Sequence, residues 1–277
     1  MASGNSVINT HAVSRSGRLL GVTLALAGAL ACAANPGRGA PPGTPQPDKF
    51  LFDRGTAALD EKKWLTAREF FKQISETYTQ SPFGPDAKLG VGDTYLGEGT
   101  NEALVLAINE FQEFLTFYPT NSRADYAQYK LAMAHFKQMR AAQRDQTETM
   151  AAVKELEAFV PRYPSSSLMP EVKNKLREAR DRLSQADYLV GLFYFRQRWY
   201  PGAIDRLNAL LKLDPEFSGR DGVYFYLAES LIKVRREAEA LPYFEKLVQE
   251  FERSEFLQDA HKRMTELKAQ TQAKQPS

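Results

Sequence analysis

Apolar residues fall in two regimes along this chain. Leu19–Ala31 (LLGVTLALAGALA) is one unbroken apolar run, whereas from Phe50 onward apolar positions recur at intervals of three and four. The second spacing lays them along one stripe of an α-helix, and no sustained alternation or Asn-Gly turn adds a strand signal. One motif recurs in this stretch: a small residue, apolar residues at +4 and +7, then an aromatic or Asp at +11, in three copies followed by proline. The five copies are Ala67-Phe71-Ile74-Tyr78, Ala107-Phe111-Phe114-Tyr118, Ala152-Leu156-Phe159-Tyr163, Ala203-Leu207-Leu210-Asp214 and Ala240-Phe244-Leu247-Phe251. The small residue admits a neighbouring helix, and a proline past the last position cannot continue the helix and marks its stop.

Three copies carry a second small residue twelve positions earlier: Gly55, Gly191 and Ala228. Paired small residues at this distance resemble the tetratricopeptide repeat, a helix-turn-helix unit of about 34 residues that buries its apolar face only by stacking on its neighbours. The expectation is an all-α, tetratricopeptide-like α-solenoid of about five helix pairs with one long central helix. The anchors at 67, 107, 152, 203 and 240 are 40, 45, 51 and 37 residues apart, wider than that unit. Polar residues 137–148 (KQMRAAQRDQTE) insert between the helices of the third pair. Residues 169–198 read as one helix with a seam of Val172, Leu176, Ala179, Leu183, Ala186, Val190 and Phe193. A helix of about 30 residues spans roughly 45 Å and would join an N-terminal to a C-terminal half.

The apolar run Leu19–Ala31, preceded by Arg15 and Arg18, is shorter than the roughly 20 residues a membrane helix needs, so residues 1–31 are expected to be a secretion signal. Cys32, the only cysteine, follows directly in Ala29-Leu30-Ala31-Cys32. The segment resembles a lipobox, which would make Cys32 an acylated first residue; Ala29 stands where Leu is commoner. A plain signal-peptidase site beside an incidental cysteine stays open as the alternative. Residues 32–48 are expected to be the lipidated cysteine and its tether, for 33–48 hold five prolines and three glycines and form no fold element. Residues 49–162 are then the N-terminal repeat half, 163–268 the C-terminal half, and 269–277 a polar tail.

Charge narrows the partners. The chain has 36 Lys+Arg against 34 Asp+Glu, and loss of Arg15 and Arg18 with the signal leaves the mature chain neutral. Nucleic acid, which demands a clustered basic surplus, is not expected, and the membrane is expected to be engaged only through the lipid. Catalytic chemistry is missing too. His11 lies in the leader, and His135 and His261 sit singly, away from metal-ligand spacing. Gly90-Val91-Gly92 and Gly97-Glu98-Gly99 follow no strand and precede no Gly-Lys-Ser/Thr, so they read as packing and turn glycines. No enzyme activity, cofactor or metal is expected. Aromatics outside the repeat pattern are candidate ligand contacts on a solenoid groove: Phe83, Tyr126, Tyr129 and Phe193-Tyr194-Phe195.

Between Phe50 and Phe251 the chain resembles the BamD family, lipoprotein subunits of the bacterial outer-membrane β-barrel assembly machinery. The resemblance lies in Pro82-Phe83-Gly84-Pro85, Tyr118-Pro119-Thr120-Asn121-Ser122 leading into Asp125-Tyr126, Arg144-Asp145, Arg162-Tyr163-Pro164-Ser165-Ser166 and a long helix ending at Trp199. It implies a five-pair solenoid held by its lipid on the periplasmic face of the outer membrane. It further implies that the N-terminal half recognises unfolded outer-membrane β-barrel precursors, with Tyr78, Phe83 and Gly84 at the substrate end. The C-terminal half would dock on a POTRA domain of the barrel subunit BamA, with Phe193 and Tyr194 at the bend and Arg206 facing the contact. Other lipoproteins of the machinery would be further partners. Two alternatives are another periplasmic tetratricopeptide lipoprotein serving as a cell-envelope or polysaccharide-export adaptor, and an accessory subunit of a peptidoglycan enzyme.

Overall fold

The five motif copies become the second helices of five pairs. The computed structural model describes residues 39–273; the expected signal, Cys32 with its lipid and residues 274–277 lie outside the described residues. The pairs are α1 (Pro47–Asp60) with α2 (Trp64–Thr77), α3 (Gly84–Glu98) with α4 (Asn101–Phe117), α5 (Ala124–Lys137) with α6 (Thr147–Arg162), α7 (Met169–Arg196) with α8 (Tyr200–Leu213), and α9 (Arg220–Lys233) with α10 (Glu237–Glu250). An eleventh helix, α11 (Leu257–Ala273), follows. Each helix packs on the next, and the first helices of neighbouring pairs touch as well (α1 with α3, α3 with α5, α7 with α9). First helices therefore line the inner side of an α-solenoid.

The repeat works through glycine seats. All fifteen residues at the first three positions of the five copies are at most 2% exposed. The residue four past the alanine plugs the first helix at its small residue. A Cβ on Gly55 would sit 2.7 Å from the Phe71 ring, and one on Gly191 would sit 2.5 Å from Leu207. The other face of the Phe71 ring lies on Gly90, where a Cβ would come within 2.6 Å, and Phe111 covers Gly92 at 2.7 Å. The glycine pairs of α3 are thus packing glycines, and Gly99 ends that helix in the left-handed region (φ 71°).

The described residues differ from expectation in three places. Helix α1 starts at Pro47, inside the expected tether, because proline's fixed φ suits the first helical turn and its missing N–H has no partner to lose there. The expected tail is helical as far as Ala273. Ala260 and Leu267 of α11 join the core of the last pairs, so α11 closes an apolar end that an open repeat would leave to water. The seam of α7 is also not continuous. Val172 and Ala179 are buried, but toward the C-terminus the buried residues are Ser184, Gly191 and Leu192, and Phe193 is 55% exposed. Helix α7 packs on α6 and on α8. At about 100° per residue its buried stripe turns by roughly 100° between Val172 and Gly191 to face each in turn.

A polar clamp joins successive pairs. The Ser81 hydroxyl donates to Asp48 in the first turn of α1 (2.7 Å) and accepts the N–H of Phe83 (3.1 Å). Ser166 does the same with Asp125 and Leu168 (2.6 and 3.1 Å), and Ser254 with Asp221 and Phe256 (2.6 and 3.2 Å). In the second pair Asn121 accepts the Arg123 N–H (2.8 Å) and the Arg123 guanidinium reaches Asp86 (3.0 Å). Each aspartate also sits at the positive end of its helix dipole, which favours the charge. In the first clamp the hydrogen bond from Ser81 holds the Asp48 carboxyl below the usual range.

Candidate interaction surfaces

Three surfaces bring together aromatic and charged residues at the border of the core. The first is the α2–α3 turn. Tyr78 ends α2 and packs half-buried on the N-terminal core. The Ser81 N–H donates to the Tyr78 carbonyl (2.8 Å) and the Gly84 N–H to the Ser81 carbonyl (3.0 Å). This double turn brings Tyr78, Phe83 and Gly84 together. Phe83 stacks on Phe52 at 5.2 Å and 22°. A Cβ on Gly84 would meet nothing within 4 Å, so neither φ nor packing demands glycine there, and the backbone is left uncovered.

The second surface is a groove of about 450 Å³ on the inner side of the N-terminal half, lined by Trp64, Asp93, Tyr126, Lys130, Met133 and Lys137 among others. Asp93 is its buried charge. Burial pushes its carboxyl up, against Lys130 at 3.5 Å and the Tyr126 hydroxyl, which donates at 2.7 Å. Burial and the Asp93 charge raise the Tyr126 hydroxyl in turn, so it stays a donor. Arg123 and Lys130 approach the Tyr126 ring at 4.6 and 5.0 Å. Tyr129, expected from sequence beside Tyr126, also lines this groove but is largely buried, and its hydroxyl donates to Glu171.

The third surface is the α7–α8 corner. Phe193 and Tyr194 lie 5.9 Å apart, and Trp199, 56% exposed, meets the Tyr194 ring edge-on at 4.8 Å. Phe195 turns inward, onto Tyr226 at 5.0 Å. Arg206 is half exposed and reaches Asp187 on α7 at 3.8 Å. Asp187 and Tyr194 are seven residues apart, two turns on one stripe, so Arg206 and Tyr194 border the same face about 10 Å apart along α7. Trp199, read from the sequence only as the end of the long helix, and Trp64 were not among the expected contacts; their signal was a tryptophan next to the turn in a repeat whose core uses Phe and Leu.

His135 is engaged by Glu148 at 2.7 Å. Among the described residues no three His, Cys, Asp or Glu side chains are grouped so as to hold a metal ion, and no helix is long and apolar enough to cross a membrane. A helical-repeat body with aromatic and charged surfaces at separate places along it defines the class: a tetratricopeptide-like α-solenoid. More narrowly, the chain belongs to the YfiO outer membrane lipoprotein family, which matches residues 45–235. It is similar to "Outer membrane protein assembly factor BamD" of Caulobacter vibrioides, 26% identical over 196 residues, covering 70% of this chain and 63% of that protein. The same-named protein of Vibrio cholerae is 25% identical over 61% of this chain and 73% of its own length. Among solved structures it is similar to the TPR2AB-domain:pHSP90 complex of yeast Sti1, with 13% identity, 81% of this chain and 84% of that one covered, and a TM-score of 0.45.

Proposed function

We propose that the chain is an outer-membrane protein assembly factor that binds unfolded β-barrel precursors and couples them to BamA. The observation that carries this is the family match across residues 45–235 on a solenoid whose uncovered aromatics lie in both halves. The α2–α3 turn, with Tyr78, Phe83 and Gly84, takes the precursor. The α7–α8 corner, with Phe193, Tyr194 and Arg206, docks on a BamA POTRA domain. The work done is binding and presentation, and its free energy comes from contacts alone. A lipid on Cys32 holds the protein to the periplasmic face of the outer membrane, within reach of other lipoproteins of the machinery.

Docking is tested at Arg206. Its pair with Asp187 is long and half exposed (3.8 Å) and contributes about 0–1 kcal/mol at most, so Arg206→Ala should fold normally. A docking role requires at least about a tenfold loss of POTRA affinity, some 1.4 kcal/mol, in calorimetry. Unaltered binding by a folded variant removes Arg206 from the interface. For the anchor, Cys32→Ser should move the protein from the membrane to the soluble periplasmic fraction, because membrane residence rests on acyl chains. Wild-type protein found wholly soluble would end the anchoring reading.

A further inference from the structure

The turns between first and second helices share one backbone requirement. In pairs one, two, four and five they pass through a left-handed residue: Lys62 (φ 58°), Gly99 (71°), Arg198 (62°) and Arg235 (65°). This region crowds a Cβ against the carbonyl, and glycine alone enters it freely. Gly99 is what the geometry asks for, whereas the other three turns hold a long cation there in spite of the crowding. Outliers of this kind persist where the side chain is needed.

The two C-terminal turns act together. Asn208 of α8 accepts a hydrogen bond from the Tyr243 hydroxyl of α10 (3.1 Å). These residues lie eight past Tyr200 and six past Glu237, the helix starts, so the two turns stand side by side. Arg196, Arg198, Lys233 and Arg235 are all exposed there, with no ion pair or side-chain hydrogen bond among the described residues. Their neighbours are spoken for: Arg236 holds Glu239 at 2.7 Å, and in the first turn Lys63 holds Glu61 at 2.5 Å. Beside the free cations stand Phe193 and Trp199. Trp199 is fixed by Tyr194 and covers Gly202, where a Cβ would come within 2.7 Å of the indole.

We infer that this edge docks an acidic polypeptide segment of a protein partner, with Arg198 and Arg235 as carboxylate contacts and Trp199 as the apolar anchor. The inference rests on the reading that the C-terminal half docks on a protein, and adds the chemistry of what it binds. Exposed guanidiniums take carboxylates in forked pairs, and an immobilised tryptophan beside arginine is the make-up of a binding hot spot. A protein fits better than anionic lipid because the edge is more than a cloud of flexible cations. Trp199 is held edge-on by Tyr194 and Arg198 and Arg235 sit in left-handed turns, fixed points that a set pattern of carboxylate and apolar side chains can match.

The test uses the full mature protein and a fluorescein-labelled peptide of alternating glutamate and phenylalanine, followed by fluorescence anisotropy. Saturable, salt-sensitive binding is expected. The double variant Arg198→Gly, Arg235→Gly should bind at least about tenfold more weakly with an undiminished melting temperature, since glycine suits both turns. Equal binding by wild type and this variant overturns the inference, as does a wild type that ignores the peptide. Phosphatidylglycerol vesicles that bind and displace the peptide would assign the edge to lipid and overturn it too. The two readings separate cleanly. If Arg206→Ala loses POTRA affinity while the double glycine variant keeps the peptide, docking stands and this inference falls; the opposite pair of results removes Arg206 and leaves the acidic-segment edge.

Discussion

Phe71→Ala is expected to cost about 3–5 kcal/mol and to melt the first two helix pairs ahead of the rest. The ring is 2% exposed and lies between the backbones of α1 and α3, with the missing Cβ positions of Gly55 and Gly90 at 2.7 and 2.6 Å from it. The Phe52 ring packs beside it at 5.8 Å, but the faces themselves meet glycine backbone, so truncation leaves a cavity between three helices. The converse change makes the same point. Gly90→Ala forces a carbon into the ring, which cannot retreat because Gly55 backs it, and overpacking of this kind costs about 1–3 kcal/mol. A smaller side chain should relieve it, so Gly90→Ala ought to be better tolerated beside Phe71→Leu than in the wild type. Thermal unfolding of both singles and the double measures that coupling. Additive effects would show that Phe71 and Gly90 do not share a contact. In a stack of repeats each unit leans on its neighbours, so hydrogen exchange should find the loss concentrated in α1 to α3.

The residues in this contact were legible in the sequence, but not all of its geometry. Ala67, Phe71 and Ile74 announced a helix face through spacings of four and seven, and Gly55 was visible as the small residue twelve earlier. What spacing does not say is that Phe71 has a second seat on Gly90, because that contact depends on how the next pair stacks. The same limit governs the clamps: Asp48 and Ser81 are 33 residues apart, and nothing local marks them as partners. Phe193 shows a different failure. An alternation of four and three assumes one neighbour throughout, and α7 has two, so the residue placed inward by the pattern faces water. At the interaction surfaces, aromatics outside the motif pointed to Tyr126 and Tyr129, which line one groove, and to Phe193, which is exposed; that Tyr129 also belongs to the third-pair core depends on how the pairs stack. Arg206, one residue and so about 100° round the helix from Leu207, is half exposed, yet its neighbour Asp187 belongs to the preceding helix and could not be named from the pattern. The left-handed turn cations were beyond reach for a related reason: an arginine in a turn looks ordinary until its φ is known.

Asp214→Ala should be nearly as damaging, and it should divide the unfolding of the chain in two. Asp214 ends α8 and is 8% exposed. Both carboxylate oxygens are bound by the Arg177 guanidinium of α7, at 2.9 Å on one, and the Ser184 hydroxyl donates to the other at 2.5 Å. On the other side of the guanidinium lies Asp181 (3.0 Å), whose own carboxylate accepts the Ser218 N–H (3.0 Å). This cluster fixes the C-terminal pairs to the middle of α7, where Arg182 also meets the α5–α6 turn through the Arg140 carbonyl (3.2 Å). Removing the carboxylate strands two donors, at about 1.5–3 kcal/mol for bonds to a charged group. Asp181 remains to hold Arg177, which keeps the figure from rising further. Burial by itself pushes the Asp214 carboxyl up, but the bonds from Arg177 and Ser184 and the guanidinium charge outweigh it and hold it below 3.8. A carboxyl lowered in the folded state contributes fully above its unfolded value and loses that contribution as pH falls through the folded one. The stability gap between wild type and Asp214→Asn should therefore stay constant from neutral pH down to 3.8 and close only below it. Urea titrations across that range would show it, and a gap that closes well above 3.8 would mean the carboxylate is not held as the geometry indicates. For Asp214→Ala, far-ultraviolet circular dichroism should resolve an early C-terminal transition where the wild type shows one, because α7 alone would then join the two halves.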